Sequence, residues 1–98
     1  MKLRILDLAE ADLLSGFRFY ERRSAAVGWY FLDSLSAEIE SLHLYAGVHR
    51  KYLGYFRMLA RRFPYAIYYR VTGNEVQVWR ILDCRRDPQW IRKQLRNG

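Results

Sequence analysis

Residues 63–83 read Phe63-Pro64-Tyr65-Ala66-Ile67-Tyr68-Tyr69-Arg70-Val71, then Thr72-Gly73-Asn74, then Glu75-Val76-Gln77-Val78-Trp79-Arg80-Ile81-Leu82-Asp83. The first run alternates. Phe63, Tyr65, Ile67, Tyr69 and Val71 fall on one side, and Ala66, Tyr68 and Arg70 on the other, the two-residue period of a strand. Thr72-Gly73-Asn74 is turn chemistry, because glycine and asparagine tolerate positive φ. The second run resumes the alternation, with Val76, Val78 and Leu82 on one side. Two such runs about a short Gly-Asn turn predict an antiparallel hairpin.

Toward the N-terminus, Gly54 to Ala60 predicts another strand, turning at Arg61-Arg62. Near residue 50 the apolar period changes. Val27, Phe31, Leu35, Ile39, Leu42 and Ala46 recur at helical spacing behind Ser24, a good N-cap, and Gly47 ends the pattern. Leu13, Leu14, Phe17 and Tyr20 give a preceding helix from Ala9 to about Arg23, with Glu10 and Asp12 in its first turn. Helices so closely joined must fold back as a hairpin. Lys2 to Leu8 alternates as a short strand. At the other end, Asp87 as N-cap and Pro88 at the first helical position open a helix carrying Trp90, Ile91 and Leu95. The expected fold is α+β, a single domain over residues 1–98 in the order β-α-α-β-β-β-α. A helical hairpin packs on a mainly antiparallel four-stranded sheet, with Phe31, Leu35, Ile39 and Ile67 in the core.

Apolar residues make up 51% of the 98 and charged residues 28%, a composition that can build one core. No apolar run approaches the roughly 20 residues of a membrane helix. Asp7, Glu10 and Asp12 interrupt any signal-like stretch near the start, so the cytoplasm is the expected location. Cys84 is the lone cysteine, which leaves no internal disulfide to form. The net charge of +7 is unevenly spread: residues 1–49 hold five basic and seven acidic side chains, residues 50–98 twelve and three. Fourteen of the 17 basic residues are arginine, whose planar fork suits carboxylates and phosphates. The basic half therefore points to an acidic or phosphate-bearing partner.

Enzymatic motifs are scarce. His43 and His49 are six residues apart with Gly47 between them, out of phase for a shared metal, and further ligands are lacking. Cys84 beside Arg85-Arg86 offers a thiol in a basic setting, but a small apolar residue filling the sheet's end is the favoured account, given how often free cysteine is buried. No phosphate-cradling glycine loop or nucleophilic triad is present, and nothing calls for a cofactor. Tyr65, Tyr68, Tyr69, Trp79 and Trp90 interleave with arginines. Such an arrangement serves base stacking, core packing or the docking of an amphipathic peptide.

The order of elements, the segment Arg61-Arg62-Phe63-Pro64-Tyr65-Ala66-Ile67-Tyr68-Tyr69-Arg70-Val71 and the later Arg80-Ile81-Leu82-Asp83-Cys84-Arg85-Arg86-Asp87-Pro88-Gln89-Trp90 resemble the RelE/ParE toxin superfamily, in particular its ParE-like branch. Asp83-Cys84 departs from it, standing where many relatives have a histidine before the arginine pair. The resemblance implies a toxin of a type II toxin–antitoxin system, neutralised by a cognate antitoxin whose disordered acidic or amphipathic tail wraps it. RelE-like members cut mRNA on the ribosome, whereas ParE inhibits DNA gyrase. Carried over by position, Arg57 and Arg86 fall where the nucleases place basic residues. Leu59 and Ala66, however, replace two other cations, and Trp90 lies near a tyrosine's place. An indole cannot act as a general acid. The expected function is thus a ParE-like inhibitor that acts by binding, with gyrase as target. Alternatives are a ribosome-dependent mRNA endonuclease using Arg57 and Arg86, and a non-toxic basic nucleic-acid-binding domain. The expected antitoxin- or target-binding residues are Arg57, Arg61, Arg62, Arg70, Arg80, Arg85, Arg86 and Trp90.

Overall fold

A computed structural model describes residues 1–97 in the order β1 (Lys2–Ile5), α1 (Asp7–Glu21), α2 (Ala25–Glu40), α3 (Leu42–Tyr45), β2 (Lys51–Tyr52), β3 (Tyr55–Leu59), β4 (Tyr65–Thr72), β5 (Glu75–Asp83) and α4 (Pro88–Asn97). The sheet has five strands rather than the expected four, ordered β1-β5-β4-β3-β2, and is mixed: β1 runs parallel to β5 while the other pairs are antiparallel. The extra strand is the two-residue β2, which turns into β3 through Leu53 and Gly54, both at positive φ (52° and 85°). Two positive-φ residues are what a type I′ hairpin turn demands, and a leucine is an unusual first one, so no turn motif advertised it.

The predicted α2 stops early. The Ser41 hydroxyl donates to the Glu38 carbonyl at 2.6 Å, and the helix breaks there into α2 and α3. Back-bonding of this kind competes with the helical ladder and bends it. Ser24 caps α2 as expected, accepting the Val27 N–H, and Asp87 accepts the Gln89 N–H at the start of α4. The first helix begins at Asp7, so Asp12 lies in its interior rather than its first turn.

The sheet is covered on both faces. Phe31, Leu35, Ile39 and Leu42 pack with Tyr65, Ile67, Tyr69, Val76, Val78 and Ile81 on the face beneath the helical hairpin. Ile91 and Leu95 of α4 seal Tyr55, Ala66, Tyr68 and Leu82 on the other. The four expected core residues, Phe31, Leu35, Ile39 and Ile67, are all buried. Leu82 is a correction: it belongs to the α4 face, not to that of Val76 and Val78. The cause is a β-bulge. Tyr69 pairs with Val78 and Tyr68 with Arg80, so Trp79 is an extra residue that inverts the alternation beyond it.

Tyr69 is fully buried, yet its hydroxyl accepts the Gly47 N–H at 2.9 Å and bonds the Nδ1 of His49. The aromatic core thereby ties down the loop after α3. Burial holds the His49 pKa below 6.5 and outweighs the opposing charge of Glu38. The sign follows. As pH falls through 6.5 the unfolded chain protonates His49 first, so stability declines until the folded residue also takes up its proton. The urea midpoint is expected to fall between pH 7.5 and 5.5, and a His49→Gln variant should lose this component of the slope. An unchanged slope in the variant would show that His49 does not drive it.

Candidate functional site

The basic residues singled out from sequence do not form one surface. Arg80 is the clearest correction, because it is only 7% exposed. Its Nε and Nη2 donate to the Asp12 carboxylate at 2.7 and 2.9 Å, and its Nη1 donates to the Gln94 side chain at 3.1 Å. It is an internal clamp between α1, β5 and α4, with no free donor edge to offer a partner. Asp12 also accepts the Ile81 N–H at 3.0 Å. β1 pairs with β5 only as far as Val78, so Asp12 satisfies an edge donor that the strand leaves uncovered.

Arg61 and Arg62 turn toward the helical hairpin. Arg61 pairs with Glu38 at 3.5 Å, and Arg62 donates to the Tyr30 hydroxyl at 3.2 Å. Arg85 folds back on Asp83, donating through Nε and Nη2 at 3.1 and 2.8 Å. These bonds hold the Asp83 carboxyl below the usual range. Each of the three is thus partly engaged within the chain.

Arg62 also lies over a ring, that of Tyr30 at 6.0 Å, but the rings beneath Arg57, Arg70 and Arg86 belong to the α4 side of the sheet. Arg57 stands 5.8 Å from the Tyr52 ring centre, donates to the Tyr68 hydroxyl at 3.3 Å and approaches the Cys84 sulfur at 3.9 Å. Arg70 sits 4.4 Å above Tyr55 and 4.8 Å from Trp79. Arg86 lies on Trp90 at 3.8 Å. Stacking orders the Arg70 and Arg86 guanidinium groups while leaving their in-plane donors available for a carboxylate or phosphate, whereas Arg57 is held by Tyr68 and keeps only part of its donor edge. Cys84 is a half-buried packing residue against this face. His43 bonds the Met1 carbonyl and Glu40, and His49 bonds Tyr69, so the two histidines serve different local contacts.

Leu59 and Ala66 stand where the resemblance to the nuclease branch implies cations. Leu59 and Ala66 are direct cross-strand partners in the β3–β4 ladder, so the register brings these two places together, and both side chains are apolar. Ala66 is fully buried. Tyr68, a phenol beside Arg57, is 1% exposed, and burial raises its pKa. Arg57 and Arg86 open into separate grooves, the first with His49, Lys51 and Tyr52, the second with Ser15, Phe19 and Tyr65. Sequence reading missed the Asp12–Arg80 clamp and the Tyr65 groove, since both join elements more than forty residues apart.

Among the described residues no helix is long and apolar enough to cross a membrane. No curated protein matches the chain. A solved structure described as the chromosomal ParDE TA system from P. aeruginosa has the same fold. Its TM-score is 0.75 at 22% identity, over 83% of this chain and 92% of that one. The family model described as the ParE toxin of type II toxin-antitoxin system, parDE, matches residues 3–88. With the helical hairpin, the sheet register and the RRDP corner all inside that span, the chain belongs to the ParE toxin family of type II toxin–antitoxin systems.

Proposed function

We propose that this toxin disables its target by binding rather than by cutting RNA, that the target is DNA gyrase, and that a cognate antitoxin silences it by covering the basic half. The observation that carries the reading is the Leu59–Ala66 pair. Metal-free cleavage of RNA needs cations and an acid held together around one phosphate. Here two of the four places hold an alkyl chain and a buried methyl, and the remaining arginines face different grooves. Loss of one group that stabilises developing charge typically slows a reaction by about 10²–10³. Arg57, Arg70 and Arg86, preordered on their rings, suit the acidic residues of a protein partner. Arg80 contributes by holding the fold, not by contact.

The test uses toxin freed from its antitoxin, added to gyrase with plasmid DNA and separately to a programmed ribosome. Blocked supercoiling or trapped cleaved DNA is expected, with relief on adding antitoxin. Codon-dependent cuts in the message that vanish in an Arg86→Ala variant would replace this reading with the endonuclease one.

A further inference from the structure

Between α1 and the corner joining β5 to α4 lies a cavity of about 290 Å³, lined by Ser15 and Phe19 of α1, Tyr65 of β4, and Arg86 and Trp90. Its charges are unevenly consumed. Asp12 is neutralised by Arg80 and Asp83 by Arg85, both through two-point contacts. Among the described residues no carboxylate pairs with Arg86, and no group bonds the Tyr65 hydroxyl. The cavity therefore carries one surplus cation, its guanidinium carbon 3.8 Å from the Trp90 ring centre, and one neutral donor beside apolar walls. Burial pushes the Tyr65 pKa up to about 12, reinforcing the neutral form that a phenol already has near pH 7.

We propose that this cavity is a socket for a single aspartate or glutamate side chain of the antitoxin, gripped by the Arg86 guanidinium and lined by Tyr65, with its stem against Phe19 and Trp90. The proposal rests on the reading that an antitoxin covers the basic half, and it names one anchor of that contact. A peptide carboxylate fits better than a nucleic-acid strand. Asp12 and Asp83 also line the cavity, and with both paired to arginine one cation remains unpaired among the described residues, a match for one incoming anion rather than for a run of phosphates. The space is at the lower limit of small-ligand pockets, enough for a side chain.

The experiment measures binding of the co-purified antitoxin to wild-type toxin and to Arg86→Gln, with each antitoxin Asp or Glu changed in turn to its amide. Arg86 is exposed, so the variant should melt at the wild-type temperature, which is checked first. Arg86→Gln is expected to weaken binding tenfold to a hundredfold, the usual worth of a hydrogen bond to a charged group. One acidic position of the antitoxin should lose its effect in the variant, as a double-mutant cycle reads directly. Affinity within twofold of wild type would overturn the socket alone, as would equal losses at every acid. Antitoxin that fails to bind even wild-type toxin would overturn the underlying reading as well. If a single-stranded oligonucleotide is held through Arg86 and displaces the antitoxin from it, the site takes phosphate and the carboxylate assignment fails.

Discussion

An Asp12→Ala variant is expected to lose about 3–5 kcal/mol of stability, the range for removing one partner of a buried ion pair. The change strands two groups at once. Arg80, with a side chain 9% exposed, keeps its charge but loses both carboxylate contacts, and the Ile81 N–H loses its acceptor at the uncovered edge of β5. For a domain whose total stability is about 5–15 kcal/mol this is a large share. Asp12→Asn, which keeps one acceptor, should cost less. Replacing the pair together, Asp12→Leu with Arg80→Met, should recover much of the loss, because no charge is then left buried. Urea unfolding of the four proteins decides it. A loss below about 1 kcal/mol in Asp12→Ala would mean that water reaches Arg80 and the clamp does not hold α1 to the sheet.

Phe31→Ala should be of similar size, about 3–5 kcal/mol, for a different reason. The Phe31 ring is fully buried, with ring centres of Tyr20, Phe63 and Tyr65 at 5.1, 5.1 and 5.0 Å. Its tip occupies the place where a side chain on residue 16 would begin: a Cβ built on Gly16 would stand 2.4 Å from the ring. Removing the ring opens a cavity that the surrounding aromatics cannot close. The same geometry makes the sign at Gly16 conditional. In the wild type Gly16→Ala forces the ring against neighbours that cannot yield, an overpacking cost of about 1–3 kcal/mol that outweighs the roughly 1 kcal/mol alanine gains over glycine in a helix. With Phe31→Ala in place the clash is gone, and Gly16→Ala should stabilise by about 1 kcal/mol. Equal effects of Gly16→Ala in both backgrounds would show that the ring does not depend on the missing side chain.

Much of the partner-facing reading was legible as composition and little of it as geometry. The arginine-rich half and its aromatic interleaving are visible in the chain, and Leu59 and Ala66 can be compared by position with the nuclease branch. Which arginines remain available is another matter. Arg80 is consumed by a carboxylate 68 residues away, Arg85 by its neighbour Asp83, and Arg86 is set on Trp90 by the start of α4. Side-chain pairing of this kind has no periodicity to announce it.

By itself the sequence determined those features that local physics governs: the helical spacing from Val27 to Ile39, the alternation from Phe63 to Val71, the Gly73 turn at φ 58° and the caps at Ser24 and Asp87. Each depends on a few neighbouring residues, so short-range sterics and hydrogen bonding suffice. Only the tertiary structure decided the parallel placement of β1, the added β2 hairpin, the bulge at Trp79 and the burial of Arg80. Those outcomes depend on which distant groups satisfy an edge N–H or a buried charge. An unmet donor or guanidinium in the interior costs enough to reorder its surroundings, and its partner is chosen by packing in space, not by spacing along the chain.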